Sequence, residues 1–197
     1  MDRHPSAAMP SPPDENGTSD ATVIASTRRW LERAVIGLNL CPFARAPFVQ
    51  QRIRFVVSPA RDAHALLDDL RRELQALHAT DPLISETTLL IHPQVLGDFL
   101  DFNDFLDVAD EALRELALEG ELQVASFHPD YHFAETSAHA VENCTNRSPY
   151  PTLHLLRESS VDSAVESDID TEAIYQRNIA TLQKLGTAGW RALWQDE

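Results

Sequence analysis

The sequence is poor in glycine and cysteine and short of positive charge. It has six glycines and two cysteines among 197 residues, and 16 basic residues stand against 31 acidic ones, for a net charge of −15. Neither a Walker lysine loop nor a glycine fingerprint for dinucleotides is present, which argues against the familiar nucleotide enzymes. The negative charge also has the wrong sign for a phosphate backbone or an anionic membrane surface. We therefore expect neither nucleic acid nor a membrane as a partner.

Long apolar runs are also missing. No stretch approaches the ~20 apolar residues that span a bilayer, and the N-terminal segment MDRHPSAAMPSPPDENGTSD lacks the apolar centre of a signal peptide. These absences predict a cytoplasmic protein in which Cys41 and Cys144 are reduced thiols. A hydrophobic share of 43% is nevertheless enough to build a core.

Composition divides the chain into a tail and a body. Residues 1–20 are rich in Pro, Ser and Asp and offer little to bury, so we expect a disordered tail. No second change of composition follows, and residues 21–197 have the length of one ordinary domain. The prediction is one domain with an N-terminal tail.

Hydrophobic spacing predicts alternating strands and helices in that domain. Apolar residues recur with helical spacing, whereas short β-branched runs bounded by proline indicate strands. The predicted helices cover residues 21–39, 60–78, 95–119 and 170–185, and the strands 52–57, 87–91 and 122–127. Residues 152–156 fit either a fourth strand or a short helix. The order indicates an α/β fold with a βαβαβ-type sheet flanked by helices, an N-terminal helix and a C-terminal helical segment. A ferredoxin-like α+β sandwich is the alternative.

Three predicted strands end in the same way. Each stops at a residue followed by proline, namely Ser58, His92 and His128. Proline lacks the N–H that a strand ladder needs and keeps the residue before it extended. If the strands are parallel, the three residues lie along one carboxyl edge, where open α/β sheets bind ligands. An equally good interpretation is that proline only ends the strands.

The stretch FHPDYHFAETSAHAVENCTNRSPYP, residues 127–151, concentrates polar chemistry after the third strand. Arg147 offers a planar fork for a carboxylate or phosphate, or a partner for an internal acid. Asn143, Asn146, Tyr150 and Asp130 would supply orienting polar contacts around it. His128, Asp130 and His132 alternate with apolar residues, but a metal needs three or four converging ligands, and no diagnostic spacing supplies them. We expect no metal here, and the residues do not identify a cofactor.

Two further features fit ordinary structural roles. Cys41 follows the first predicted helix at its negative end, which disfavours a thiolate, so a buried thiol is expected rather than a nucleophile. The aspartates of DFLDFNDFLDVAD fall three apart on a helix, so only neighbouring pairs share a face. Acids in early helical turns usually complement the helix dipole.

Five segments together carry a family resemblance. With NLCPFA, LLIHP, DFNDFLD, SFHPDYHF and NRSPYPTLHLLRE in this order, the chain resembles the DUF1415 family over roughly residues 21–195. The resemblance implies a small bacterial, cytoplasmic, single-domain protein and carries no catalytic residues with it. It also implies an amide where this chain has His132, which argues further against a metal.

Two classes of function remain open from the sequence, and the first of them has a metal-dependent version as a further alternative. The first is a small-molecule enzyme, a hydrolase or group transferase acting on a small anionic metabolite. His92 and His128 would be its acid and base, and Arg147 its anchor, since histidine changes charge near neutral pH. The second is a non-catalytic interaction module with an acidic surface. It predicts an exposed apolar patch and no deep polar pocket near the two histidines.

Overall fold

The computed structural model describes residues 18–134, 136–160 and 171–193, and four strands of this part form one sheet. The strands are β1 (Ile53–Val57), β2 (Thr87–Ile91), β3 (Leu122–Phe127) and β4 (Thr152–Arg157). Their order is β1-β2-β4-β3. β1 and β2 pair in parallel, and β4 pairs antiparallel with both β2 and β3. The first three strands therefore point the same way, and their carboxyl ends share one edge of the sheet.

Helices cover both faces of this sheet. Their bounds are α1 (Asp20–Trp30), which continues as a π-helix (Leu31–Ile36), α2 (Arg45–Val49), α3 (Ala63–Ala79), α4 (Phe99–Glu115), a 3-10 helix (Val141–Asn146) and α5 (Thr171–Ala192). The α/β class and the strand–helix–strand–helix–strand order are thus confirmed. The alternation β-α-β-β-α-β of the alternative sandwich is not the order seen here. Residues 152–156, left open by the sequence, lie in a strand.

Two hydrophobic clusters fill the two spaces between the sheet and the helices. Leu90 belongs to the cluster with α3 and α4, whereas Leu89 and Ile91 belong to the cluster with α1, the π-helix and α5. Successive side chains of a strand point to opposite faces, so β2 is buried along its whole length. The sheet is the middle layer of three.

Side chains at the helix starts fix where α3 and α4 begin. Asp62 accepts a hydrogen bond from the N–H of Ala65, and Asp98 accepts from the N–H groups of Leu100 and Asp101. These are N-caps, which satisfy backbone donors that the first helical turn leaves unpaired. The cap at Asp98 sets the start of α4 beside the carboxyl edge.

Some predicted boundaries shift, and others fall outside the described residues. α4 ends at Glu115, before the expected stop at Gly120, because Ala117 turns the chain with a φ of 55°. Gly186 interrupts α5 with a φ of 67° and a ψ of 172°. The predicted tail up to residue 17, the cap at Asp170 and the second tryptophan of GWRALW lie outside the described residues.

Candidate functional site

The chain between β3 and β4 both leaves and re-enters the sheet at the carboxyl edge. The N–H of His92 donates to the carbonyl oxygen of Pro151 at 3.0 Å, and the N–H of His128 donates to that of Asn146 at 3.2 Å. β4 runs against its neighbours, so its first residue lies beside their last ones. The polar stretch that follows β3 is therefore held at the edge where the sequence predicted a site.

His128 joins this stretch to the start of α4. Its Nδ1 accepts a hydrogen bond from the N–H of Asp130 at 3.0 Å, and its Nε2 donates to the carbonyl oxygen of Leu96 at 3.2 Å. The residue is fully buried, and this burial lowers the pKa of its imidazole. Both ring nitrogens form hydrogen bonds with the backbone, so the neutral ring links the loop after β3 to the loop before α4.

His92 is buried on the same side of the sheet and retains an unpartnered nitrogen. Its Nδ1 donates to the carbonyl oxygen of Val95 at 3.0 Å, while its buried Nε2 has no hydrogen-bond partner. Burial, and secondarily the proximity of His128, lowers the pKa of His92 to about 4. The two histidine rings pack against Phe102, with ring centroids 5.6 and 5.2 Å from that of the phenylalanine. The structure brings the two strand-end histidines together around one aromatic ring.

Ser58, at the third strand end, lies at the same edge but turns toward α3. Its N–H donates to the carbonyl oxygen of Ile91 at 2.7 Å, and its hydroxyl donates to the carboxylate of Asp69 at 2.5 Å. The residue is 1% exposed. Ser58 thus ties β1 to α3.

The two asparagines and the tyrosine named by the sequence bind mainly to the protein itself. The buried Asn143 accepts from the N–H of Phe133 at 3.2 Å, and its amide donates to the carbonyl oxygen of Ser137 at 2.8 Å. Asn146 donates to the carbonyl oxygen of Ser126 at 3.3 Å. Tyr150 packs against the hydrophobic cluster of α1 and α5. These three residues shape the backbone around Arg147.

Arg147 lies where two polar clefts meet. Its Nε donates to the carbonyl oxygen of Tyr131 at 3.0 Å, and its Nη2 to that of Ala138 at 2.6 Å. The first cleft, of about 390 Å³, also includes Asp98, Asp130, His132 and His139 in its walls. The second, of about 420 Å³, is walled by Arg147 together with Ser26, Arg29, Pro129, Ser148, Pro149 and Trp190. We call these the acid–base cleft and the arginine cleft.

The alternation of polar and apolar residues over 127–133 does not continue the strand, because β3 ends at Phe127. The N–H of Tyr131 donates to the carbonyl oxygen of His128 at 3.1 Å, which closes a turn at Pro129 and Asp130. His132 then packs on Phe99, with ring centroids 4.6 Å apart. Within the described residues, no group of three or more His, Cys, Asp or Glu side chains is placed to hold a metal ion.

Both cysteines are free and keep protonated thiols. Cys41 is partly buried and Cys144 is buried, and neither forms a disulfide. Burial raises the pKa of both thiols, although Arg147 partly opposes this effect at Cys144. Neither setting favours the thiolate that a nucleophilic cysteine needs.

Most of the chain matches one family. The model described as "Protein of unknown function (DUF1415)" matches residues 22–192. The chain belongs to the DUF1415 family. Neither a curated protein nor a solved structure matches it. No helix among the described residues is long and apolar enough to cross a membrane.

In this DUF1415 protein, sequence reasoning missed part of the acid–base cleft. Asp98 was read as one member of an acidic stripe, yet its position as the cap of α4 brings it to the cleft. His132 was set aside with the rejected metal site, and it lines the cleft together with His139. The sequence feature that could have pointed to these residues is Phe99, the aromatic residue next to Asp98. Its ring packs against the ring of His132.

Proposed function

We propose that the protein is an enzyme that binds a small anionic metabolite at the carboxyl edge and acts on it by proton transfer, as a hydrolase or group transferase. The observation that carries this proposal is the position of Arg147 between two clefts of different chemistry. An anionic group of the substrate would bind on the side of Arg29 and Arg147. The reacting group would then lie on the side of Asp130 and His132.

The distribution of charge supports binding of the anionic group of the substrate in the arginine cleft. Among the described residues, none in the walls of the arginine cleft is acidic, although the chain carries a net charge of −15. Two serines, Ser26 and Ser148, add hydroxyl groups there. Guanidinium and hydroxyl groups are the usual partners of phosphate and carboxylate oxygens. An anion would therefore be favoured in this cleft over the rest of the acidic surface.

The acid–base role falls to side chains that reach the cleft. His92 and His128 are fully buried, so they support the site from beneath through Phe102 and the Leu96 carbonyl oxygen. His132 is partly exposed, lies against Phe99 and faces the cleft that also includes Asp130. Histidine is the side chain best suited to proton transfer near neutral pH. We therefore assign the proton transfer to His132 and a positioning role to His128.

A thermal-shift series at constant ionic strength tests the proposal. Inorganic phosphate, citrate and small phosphorylated or carboxylated metabolites are added to the full-length protein, to Arg29→Gln, to His132→Gln and to Arg61→Gln, whose arginine is exposed elsewhere. We expect at least one anion to raise the melting temperature of the wild type and of Arg61→Gln, because a ligand that binds the native state stabilises it. Arg29→Gln should lose most of that rise.

His132→Gln separates binding from chemistry. It should keep the stabilisation by the anion but lose turnover of the compound identified. Equal stabilisation of all four proteins by every anion would show nonspecific ion effects and contradict the proposal. Silence across the panel would contradict it too, and would favour the rival interaction module.

A further inference from the structure

A separate cavity of about 250 Å³ lies on the other face of the sheet, between β2–β4–β3 and the N-terminal helices. Trp30, Leu31 and Val35 form its helical wall, and Leu89 and Phe127 form part of its sheet wall. These residues belong to the hydrophobic cluster of α1 and α5, whereas the strand-end histidines lie on the side of α4. The cavity is therefore distinct from both polar clefts.

The wall of this apolar cavity contains a polar side chain that can accept one further hydrogen bond. The hydroxyl of Thr87 donates to the carbonyl oxygen of Leu155 at 2.6 Å and lies 2.7 Å from Nε2 of His154. A hydroxyl has a single hydrogen to donate, so Nε2 of His154 must be the donor to Thr87. The neutral ring then has a lone pair on Nδ1, for which the described residues provide no hydrogen-bond partner. Since His154 lines the cavity, this acceptor is available to an occupant.

The electrostatics of the cavity disfavour a charged occupant. Burial lowers the pKa of His154 to about 4, so the ring is neutral at neutral pH. Glu86 also lines the cavity, and its carboxylate pairs with Arg52 at 3.1 Å. An anion would meet the Glu86 carboxylate, and the described residues of the wall include no lysine or arginine to balance it. Any ion would also lose its hydration against the apolar side chains.

The size and the walls indicate the class of occupant. A dry apolar cavity of about 150 Å³ holds benzene, so about 250 Å³ suits a molecule of about ten non-hydrogen atoms. Aromatic rings of Trp30, Phe43 and Phe127 line the space, and aromatic pairs gain energy beyond the area they bury. The wall formed by Leu31 and Val35 comes from the π-helix, a rare element that occurs frequently at functional sites.

We propose that this cavity binds a small neutral aromatic molecule whose single hydroxyl or N–H group donates a hydrogen bond to Nδ1 of His154. The site goes beyond the proposed function, because it selects a neutral apolar ligand while the edge clefts select an anion. Occupied, it would join the N-terminal helices to β3 and β4 through the ligand.

Calorimetric titration of the full-length protein at pH 7 with 4-ethylphenol and its methyl ether, 4-ethylanisole, tests the proposal. The phenol should bind about fivefold more tightly than the ether, the ratio expected for one hydrogen bond. A charged analogue, 4-ethylbenzoate, should not bind. In His154→Leu, the phenol should lose its advantage over the ether.

Ala125→Leu tests the location, because Ala125 lines the cavity. It should abolish binding of both compounds, whereas Ala25→Leu, the same change at an exposed position of α1, should leave binding unchanged. Methyl NMR spectra of the wild type give a location that does not depend on variants: the signals of Ala125 and Leu89 should shift with the phenol.

Three results would overturn the proposal. They are no binding of either compound, equal affinity of the wild type for the phenol and the ether, and binding without a shift of the Ala125 and Leu89 methyl signals. Binding of 4-ethylbenzoate as tightly as the phenol would overturn the neutral class of ligand.

Discussion

Buried histidines are the most informative residues of this structure, because each one is held neutral for a reason that can be named. His92 and His154 lie on opposite faces of the sheet, and burial lowers the pKa of each to about 4. In His128, burial lowers the pKa of the ring, and Nδ1 carries no proton because it accepts the hydrogen bond from the N–H of Asp130. The protein thus uses neutral imidazole as a hydrogen-bonding ring at three places.

His92 makes the stability of the fold depend on pH. The native state keeps this ring neutral down to about pH 4, while the unfolded chain protonates it near 6.5. Between these values the unfolded state binds more protons, so the free energy of unfolding falls as the pH falls. The full difference corresponds to about 3 kcal/mol. Stability should therefore be complete above pH 6.5 and decline progressively toward pH 4.

Urea unfolding at pH 7 and at pH 4.5 measures this contribution. In His92→Asn the side-chain amide still donates to the Val95 carbonyl oxygen but does not titrate. This variant should lose about 2 kcal/mol less than the wild type between the two pH values. His64→Asn, at a histidine whose side chain is 86% exposed, should keep the wild-type dependence. An unchanged pH dependence in His92→Asn would contradict the assigned protonation state.

Sequence reasoning identified the strand-end histidines but not their partners. Proline after His92 and His128 indicated the strand ends correctly. That the rings would bond to Val95 and Leu96, in the loop before α4, depends on how the chain folds back. His154 gave a weaker signal, a polar residue alternating with leucines in a strand, and its cavity requires helices from the other end of the chain.

At the scale of elements, the last helix depends on one glycine. Gly186 has a φ of 67° and a ψ of 172° within α5. Residues with a Cβ rarely adopt this combination, which is essentially restricted to glycine. The break lies between Leu182 and Trp190, both of which pack in the cluster of α1, so the change of direction at Gly186 lets both reach that cluster.

Replacement of Gly186 by alanine should therefore destabilise the protein. We expect a loss of about 1–3 kcal/mol in the free energy of unfolding, the usual cost of a strained backbone conformation. Gly97→Ala is the matched control, because φ there is outside the strained range and a Cβ meets nothing within 4 Å. Equal urea midpoints for Gly186→Ala and the wild type would show that α5 is not held in this conformation.

The boundaries of the strands and helices show where the local sequence is sufficient to predict the structure. Strands β2 and β3 match the predicted ranges because proline and β-branched residues mark them. The end of α4 does not, since Ala117 adopts a positive φ that its residue type does not suggest. Leu113 and Leu118, on either side of this turn, both pack in the core. The local sequence pattern does not predict this packing.

At the scale of the whole molecule, the acid excess should oppose folding at low salt. Net charge far from zero favours the expanded chain through self-repulsion, and the screening length falls from ~30 Å at 0.01 M salt to ~10 Å at 0.1 M. Salt also weakens surface pairs such as Arg114–Glu111, but exposed pairs contribute little each. With a net charge of −15, the repulsion should dominate.

Raising NaCl from 10 to 150 mM should increase the melting temperature. A rise of about 2–4 °C is expected, which corresponds to ~1 kcal/mol in a domain of this size. The double variant Asp104→Asn, Asp107→Asn removes two exposed charges of α4 and should show a smaller rise. A melting temperature that falls with salt would mean that the surface ion pairs outweigh the repulsion.

The order of the strands in the sheet could not be predicted from the sequence. Strand–helix–strand spacing indicated that β1, β2 and β3 are parallel neighbours of a βαβαβ unit. The structure inserts β4 between β2 and β3. Leu153 and Leu155, both fully buried, suit a central strand, but six residues do not reveal which neighbours they have.

The central place of β4 has a consequence for synthesis on the ribosome. Within the part of the chain that the structure describes, β3 pairs with no strand other than β4, although β3 is translated about thirty residues earlier. Until Arg157 has left the exit tunnel, the nascent chain presents an unpaired β3 and an open edge of β2. Transiently unpaired strand edges promote aggregation, so the interval between residues 127 and 157 is the part of synthesis in which a chaperone would matter most.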